Sequence, residues 1–315
     1  MNPSSPATGH AQPQAPHTSV TWYESTARQR IDGLLDAGTF TEFLGPQQRE
    51  TSPHLAMFDL PTQFDDGMIV GSGRLDGKPV FVAAQEGQFM GGAFGEVHGA
   101  KLTGLLRASR DIRSIPVLLL FDTGGVRLQE ANAGELAVAE IMRAVYEARL
   151  AGVPVIGLIG GRAGCFGGGG LIAACCSALA VSEQGRIGVS GPEVIETNRG
   201  IEEFDSRDRA LIWRTMGGKH RWLIGGADRF VDDSIAHFRD AALELLTTHS
   251  AAGEHTLQQE QFRLEQRIDL FGECADALDV WRLMGARSPA SLPELDYTSF
   301  MELGSRIRNA CHDAR

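Results

Sequence analysis

Residues 160–174 read GGRAGCFGGGGLIAA, and the fold turns on how that stretch is read. It lies between an apolar run, residues 153–159, and a helix of small residues. Strand, glycine loop, helix is the order that lets unhindered backbone N–H groups at a helix start approach an anion. Gly167 and Gly168 have no Cβ, so a ligand oxygen can come within hydrogen-bonding distance of the main chain there. An oxyanion hole is the leading reading. The alternative is that Gly167 to Gly170 only let a helix pack tightly on a sheet, and other stretches have to separate the two.

The same order recurs on either side. Residues 115–121 form a nearly unbroken apolar run, as expected for a strand covered on both faces. It ends in Asp122-Thr123-Gly124-Gly125-Val126-Arg127-Leu128-Gln129-Glu130, after which Val138, Ile141, Met142 and Val145 mark a long helix. Upstream, residues 68–70 and 79–83 predict a hairpin around the turn Asp76-Gly77. Residues 89–96, FMGGAFGE, then lead into a helix with Val97, Leu102, Leu105 and Leu106 on one side.

Downstream, residues 178–181 and 187–189 read as short strands, and Pro192 sits where a helix starts. Asp205 or Ser206 caps a helix carrying Leu211, Ile212 and Met216, with Gly217-Gly218 as its stop. Ser234 precedes a helix with Ile235, Phe238, Ala242 and Leu245. Near the beginning, Ala27, Ile31, Leu34 and Leu35 recur at helical spacing before Gly38. Near the end, Leu264, Ile268 and Phe271 do so, followed by Leu278, Trp281, Leu283 and Met284. Strand and helix alternate, which means an α/β fold. Residues 1–20, rich in Pro, Ser, Ala and Gln, are expected to be a mobile tail, and 21–315 a single domain without a linker.

A chain of 315 residues with 43% hydrophobic content can bury one large core or two modest ones. Its formal net charge of -11 argues against nucleic-acid affinity, because a phosphate backbone would be repelled. Any anionic ligand must find a local basic site. The five cysteines are odd in number, include the adjacent pair Cys175-Cys176 and show no CxxC spacing, so a reducing cytoplasm is expected. Residues 163–182 carry no charge and approach the ~20 residues of a membrane span, yet their glycines favour a buried loop and helix. No membrane segment, secretory signal or transit peptide is expected.

P-loop, G-x-G-x-x-G and G-x-S-x-G spacings are missing, so nucleotide kinase, dinucleotide and serine-hydrolase readings lose support. His98 and His220 have no partner at metal-ligand spacing, and no metal is proposed. Asp233-Ser234-Ile235 resembles the tripeptide that accepts a phosphopantetheine arm, but it opens an amphipathic helix where Ser is a routine N-cap. Arg207, Arg209, Arg214, Lys219, Arg221 and Arg229 form a basic segment. A solvated helix face is the default reading; the alternative is a landing site for an acidic carrier protein or the phosphates of its arm.

Glycine loops that each follow an apolar strand and open a helix resemble the crotonase superfamily, and their wording narrows the match. Residues 122–130 are similar to the D-S-G-G-A-R-x-Q-E segment of acyl-CoA carboxyltransferases. Residues 27–36 resemble that family's A-R-x-R-I-D-x-L-L-D opening, residues 91–96 its G-G-S-x-G-E loop and residues 191–195 its G-P-D-V-I. Within the family, GGRAGCFGG, SGPEVIE and FDSRDRALIW resemble the beta subunits of biotin-independent malonate decarboxylase.

The resemblance implies a crotonase-like fold of repeated β-β-α units. It implies a homologous gamma subunit that completes the active site, an acyl carrier protein, and an acyl carrier transferase subunit. The substrate would be a malonyl thioester on the carrier's coenzyme-A-like arm, with no cofactor bound covalently to this chain. By position in the motifs, Gly167 and Gly168 are the principal oxyanion donors and Gly92 and Ala93 candidates for the opposing side. Gly124, Gly125, Gly164 and Arg127 are implied substrate contacts, Arg127 either orienting the carboxylate or pairing with Glu130 or Glu135. Thr123 and Val126 replace the Ser and Ala usual in carboxyltransferases, and Gly164-Cys165-Phe166-Gly167-Gly168 replaces P-C-A-G-G, departures that count against biotin-linked transfer. Two other readings stay open: a subunit that passes the carboxyl group to biotin on a partner, and a non-catalytic subunit.

Overall fold

The structure is a computed structural model and describes residues 20–55, 64–249 and 257–313. The expected tail therefore lies, apart from Val20, outside the described residues. The first helix, α1 (Ala27–Leu34), is closed at its start by a capping box in which Thr26 and Gln29 exchange hydrogen bonds. After β1 (Thr41–Phe43), the strands β2 (Met68–Leu75) and β3 (Lys78–Gln85) form the expected hairpin. Leu75 pairs with Lys78 across Asp76 and Gly77, both at positive φ, the geometry a two-residue primed turn requires.

The next helices are α2 (Glu96–Ile112) after β3, α3 (Asn132–Leu150) after β4 (Val117–Phe121), and α4 (Gly168–Cys175) after β5 (Val155–Ile159) with β6 (Cys165–Phe166). Then come β7 (Ala178–Ser182), β8 (Ile187–Gly188) and α5 (Pro192–Arg199). After β3, β4, β5 and β7 a short extended piece precedes the next helix. The β-β-α repeat is thus present. The uncharged stretch 163–182 resolves into β6, α4 and β7.

The remaining elements are α6 (Arg209–Met216), α7 (Gly218–Leu223), β9 (Arg229–Val231), α8 (Ile235–Thr248), α9 (Leu257–Phe271), α10 (Ala277–Leu283) and α11 (Tyr297–Asp313). Two boundaries differ from expectation. The cap of α6 is Asp208, whose side chain accepts from Leu211 N–H at 3.0 Å, and the Asp205 carboxylate instead accepts from Arg207 N–H. Gly217 ends α6 but Gly218 at once begins α7, so the glycine pair is a corner.

One seven-stranded sheet runs in the order β1-β2-β3-β4-β5-β7-β9, antiparallel through β3 and parallel from β3 to β9. Its parallel strands β4, β5 and β7 are buried along their whole length, because alternate residues serve two cores. Val117, Leu119, Phe121, Val155 and Ile159 face the core under α2, α3 and α4. Leu118, Leu120, Ile156, Leu158 and Ala180 face the one that holds Trp22, Ile31 and Phe238 from α1, α8 and the segment before α1. Covering both faces is what parallel sheets demand, and it leaves the carboxyl ends of the strands as the place where the loops converge.

Candidate active site

At that end the loops after β3, β4, β5 and β7 pair with one another, forming a second layer above the sheet. Phe94 bridges Val126, Thr123 bridges Cys165, and β6 pairs with β8. The bonds are short: Thr123 N–H to Gly164 O at 2.8 Å, Phe166 N–H to Thr123 O at 3.0 Å and Gly124 N–H to Gly91 O at 2.9 Å. Gly124, Gly125, Gly164, Gly167 and Gly168 are thereby brought together. The Thr123 hydroxyl accepts from Gly125 N–H at 3.1 Å, so it serves the turn.

Gly167 caps α4 with φ 55° and ψ -126°, a conformation that L side chains avoid. The next three glycines are shaped by contact. A Cβ on Gly168 would stand 2.4 Å from a Val138 methyl, one on Gly169 2.3 Å from the Thr123 methyl, and one on Gly170 2.4 Å from Gly188 O. Tight packing is therefore a genuine role of this run. The same helix start also has N–H groups without an intrahelical acceptor, at the positive end of the helix dipole. Burial pushes the Cys165 thiol well above its usual range, so it offers no thiolate nucleophile beside these groups.

Gly92 and Ala93 are placed differently. Their N–H groups already donate to Phe89 O (2.9 Å) and Met90 O (3.3 Å) in a turn. Gly92 has φ 65° and lies so close to the end of β4 that a Cβ would reach within 1.8 Å of Asp122 O. The pair wedges one loop against the next.

Arg127 is committed as well. Its side chain is 1% exposed, and Nη1 reaches Asp65 Oδ2 at 2.6 Å and Glu130 Oε1 at 2.7 Å. Nη2 donates to Ala93 O at 3.1 Å. The salt bridge to Glu130 is the alternative the structure displays; Arg127 presents no charge to a substrate here. Burial pushes the Asp65 carboxyl up, but the Arg127 guanidinium outweighs that and holds it below the usual carboxylate range. Glu130 also accepts from Glu96 N–H at 2.6 Å, placing a carboxylate at the start of α2.

Three side chains that align the loops were given no role from the sequence, although Asp122 and Arg30 lie within the quoted motifs. Gln85 Nε2 donates to Gly92 O at 3.1 Å while its Oε1 accepts from Asp122 N–H at 3.2 Å, tying two loops together. Asp122 accepts from Ala163 N–H at 2.7 Å and pairs with Arg30 at 2.8 Å, with side chains 5% and 1% exposed. Arg30 also donates to Trp22 O at 3.0 Å. A polar Gln at the end of the apolar run 79–84, and an Arg among the apolar positions of α1, were the available signals.

The basic segment is divided: Arg207, Arg209 and Arg229 are exposed, Arg214 and Arg221 half-buried and Lys219 buried. Arg214 grips Asp276 through two nitrogens (2.9 and 2.8 Å). Lys219 Nζ is used up by Glu183 Oε1 (2.9 Å), Pro293 O (2.8 Å) and Leu295 O (2.6 Å). These two cations cannot receive a carrier. Ser234 acts as the cap of α8, accepting from His237 N–H at 3.2 Å. Among the described residues no helix is long and apolar enough to cross a membrane, and no group of three His, Cys, Asp or Glu side chains could hold a metal.

Comparison with known proteins follows these loops. The carboxyl transferase domain family matches residues 24–216. The chain is 40% identical over 306 residues to the malonyl-S-ACP:biotin-protein carboxyltransferase of Malonomonas rubra, covering 90% of this chain and 96% of that one. It is 35% identical to the propionyl-CoA carboxylase beta chain of Saccharopolyspora erythraea, covering 68% of this chain and only 38% of that one. Among solved structures it resembles one chain of a Pseudomonas malonate decarboxylase hetero-tetramer in complex with malonate. There the TM-score is 0.78 at 40% identity, over 84% of this chain and 98% of that one. Transcarboxylase 12S matches with a TM-score of 0.59 at 26% identity, over 70% of this chain and 40% of that one. The β-β-α architecture, the four motif segments and these likenesses agree that the chain belongs to the carboxyl transferase domain family.

Proposed function

We propose that the chain is the beta-type subunit of a malonate decarboxylase and removes CO2 from a malonyl thioester held on an acyl carrier protein. The observation that carries this reading is the shelf at Gly167 and Gly168, a helix start whose first residues have no side chains of their own to shield their main-chain N–H groups. Breaking the bond between the carboxylate and the α-carbon leaves its electron pair as an enolate, whose charge gathers on the thioester oxygen. Fixed N–H donors stabilise that oxygen with little reorganisation. Protonation of the carbon then gives the acetyl thioester. No side-chain nucleophile takes part, in keeping with the shielded Cys165. Gly124, Gly125 and Gly164 form the wall that lets the thioester lie against the shelf.

A homologous gamma-type subunit completes the site. The segments that follow β4, β5 and β7 carry exposed apolar side chains, Leu128 (81% exposed), Leu136, Leu171, Val189 and Val194, which suits cover by a partner. The chain also spans nearly all of one hetero-tetramer chain but under half of the transcarboxylase chain, so the second half of such a site would come from another polypeptide. A carrier-protein transferase subunit would load the thioester arm.

The likeness to a biotin-protein carboxyltransferase supports a second reading, in which the carboxyl group passes to biotin on a partner. CO2 release from malonyl thioester by the chain purified with its gamma-type neighbour, with and without avidin, separates the two. Release indifferent to avidin is expected. Abolition by avidin would install the transfer reading, and no release under either condition would leave a structural subunit.

A further inference from the structure

Four of the six cations of the 207–229 segment hold carboxylates: Arg207 on Asp205, Arg214 on Asp276, Lys219 on Glu183 and Arg229 on Glu244. Arg209 has none, and it belongs with two arginines from outside the segment. Among the described residues Arg162, Arg186 and Arg209 form no ion pair, in a chain of net charge -11. Arg186 and Arg209 share one indole, their guanidinium carbons 4.6 and 5.0 Å from the centre of the Trp213 ring. Arg186 also lies 6.0 Å from the Phe166 ring, in the residue next to Gly167. Its Nε donates to Gln184 O and its Nη2 to the Gly161 and Arg162 carbonyls, which fixes it against the loop and leaves Nη1 over. Arg162 extends its exposed guanidinium over Tyr23 at 5.5 Å.

The two guanidiniums repel each other across the shared ring, no described carboxylate forms a salt bridge with either although Asp122 and Glu193 pull on Arg186, and Arg186 keeps Nη1 uncommitted. Planar forks of this kind match the paired oxygens of a phosphate. We infer that Arg162, Arg186 and Arg209 form a ridge that binds phosphate oxyanions of the arm carrying the thioester. The inference rests on the malonyl-thioester reading above and deepens it. The contacts run without a break from Gly167 through Phe166, Arg186 and Trp213 to Arg209. An arm laid along them places its acyl end on the shelf and its phosphate end on the ridge. The phosphate can be the one that joins the arm to a carrier protein or those of free coenzyme A.

Calorimetric titration of the chain in complex with its gamma-type partner tests this, using coenzyme A, 4′-phosphopantetheine and pantetheine as probes. The two phosphate-bearing ligands are expected to bind in a salt-sensitive way, and pantetheine more weakly than either. Equal binding of the two assigns the ridge to the arm's own phosphate; preference for coenzyme A assigns it to the nucleotide phosphates. Arg209→Gln and Arg162→Gln each weaken coenzyme A by about tenfold, as loss of one charged hydrogen bond does, and Arg209→Lys restores part. Arg207→Gln, paired and exposed, leaves affinity unchanged. Pantetheine binding as tightly as coenzyme A, or Gln variants that bind coenzyme A like the parent, would overturn the ridge. Arginine-dependent binding without any CO2 release would overturn only the decarboxylase reading.

Discussion

At residues 167–170 the site has no side chain at all, whereas Arg30, Asp65, Asp122, Arg127 and Glu130, in and beneath the neighbouring loops, are charged and wholly buried. The glycine run packs its main chain against Val138, Thr123 and Gly188; the charged layer turns its side chains on each other. A substitution in the first acts by displacing donors, and one in the second by stranding a charge. The residue types that most readily suggest catalysis are here the ones that hold the frame.

The sharpest way to break this division is Asp122→Asn. It leaves the Arg30 guanidinium buried without its anion, and losing one member of a buried pair costs about 3–5 kcal/mol. Urea unfolding should register that loss, and turnover should fall with it as Ala163 and the following loop lose their anchor. A variant as stable as the parent but inactive would show instead that Asp122 acts on the substrate.

Gly168→Val tests the other side. Its methyls have to displace Val138, which already stands 2.4 Å from the position of a Cβ, so the start of α4 moves. Loss of a well-placed donor costs about 2.7–4 kcal/mol of barrier, or roughly a hundredfold or more in kcat. The milder pair Gly168→Ala and Val138→Ala, which relieves the crowding, should recover much of the rate. Full turnover in the valine variant of the assembled complex would remove Gly168 from the oxyanion site.

The strands and helices of this frame were legible because each has a local cause. The unbroken apolar run of β4, the Asp76-Gly77 turn and Pro192 at a helix start act within a few residues of themselves. The glycine loops were legible as loops, and their motif wording carried the family. What the sequence left undetermined depends on distant neighbours. Arg127 is separated by 62 residues from the Asp65 carboxylate that claims it, and Lys219 by more than 70 from two of its acceptors. The turn that consumes the Gly92 and Ala93 N–H groups is set by Gly92 packing on Asp122. A stretch of basic residues likewise reads as a surface until the fold supplies its partners. The ridge at Arg162, Arg186 and Arg209 gathers three separate segments, and no window of sequence contains it.

Buried histidines extend the contrast to pH. His98, edge-on to the Phe94 ring at 5.0 Å, and His220 are held down to about 3. Burial is the main cause in both. Around His98, Asp65 pulls upward while Arg127 and Lys101 push downward; around His220, Arg221 and Arg267 push downward and Asp276 pulls upward. A histidine depressed in the folded chain is neutral there while its unfolded counterpart, near 6.5, takes up a proton. Stability is therefore full above about pH 6.5 and is lost as the pH falls toward 3, at on the order of 1.4 kcal/mol per pH unit for each ring. Urea midpoints between pH 7 and 5 should show that slope, and His98→Phe should lower it by one proton. An unchanged slope would mean that the ring is accessible to water and that the layer around Arg127 is looser than its ion pairs indicate.

The smallest effect separates local chemistry from resemblance at Asp233-Ser234-Ile235. Ser234 is 4% exposed and its hydroxyl lies 2.8 Å from His237 Nδ1 while accepting the His237 N–H. A hydroxyl so engaged at a helix start has little freedom to attack an incoming phosphopantetheine donor. Ser234→Ala should cost about 1 kcal/mol, the usual worth of an N-cap, and leave the mass of the chain unmodified before and after incubation with a phosphopantetheinyl transferase and coenzyme A. If the parent gained the mass of the arm and the alanine variant did not, the carrier would be this chain itself, and the phosphates expected at the ridge could then belong to an arm attached in cis.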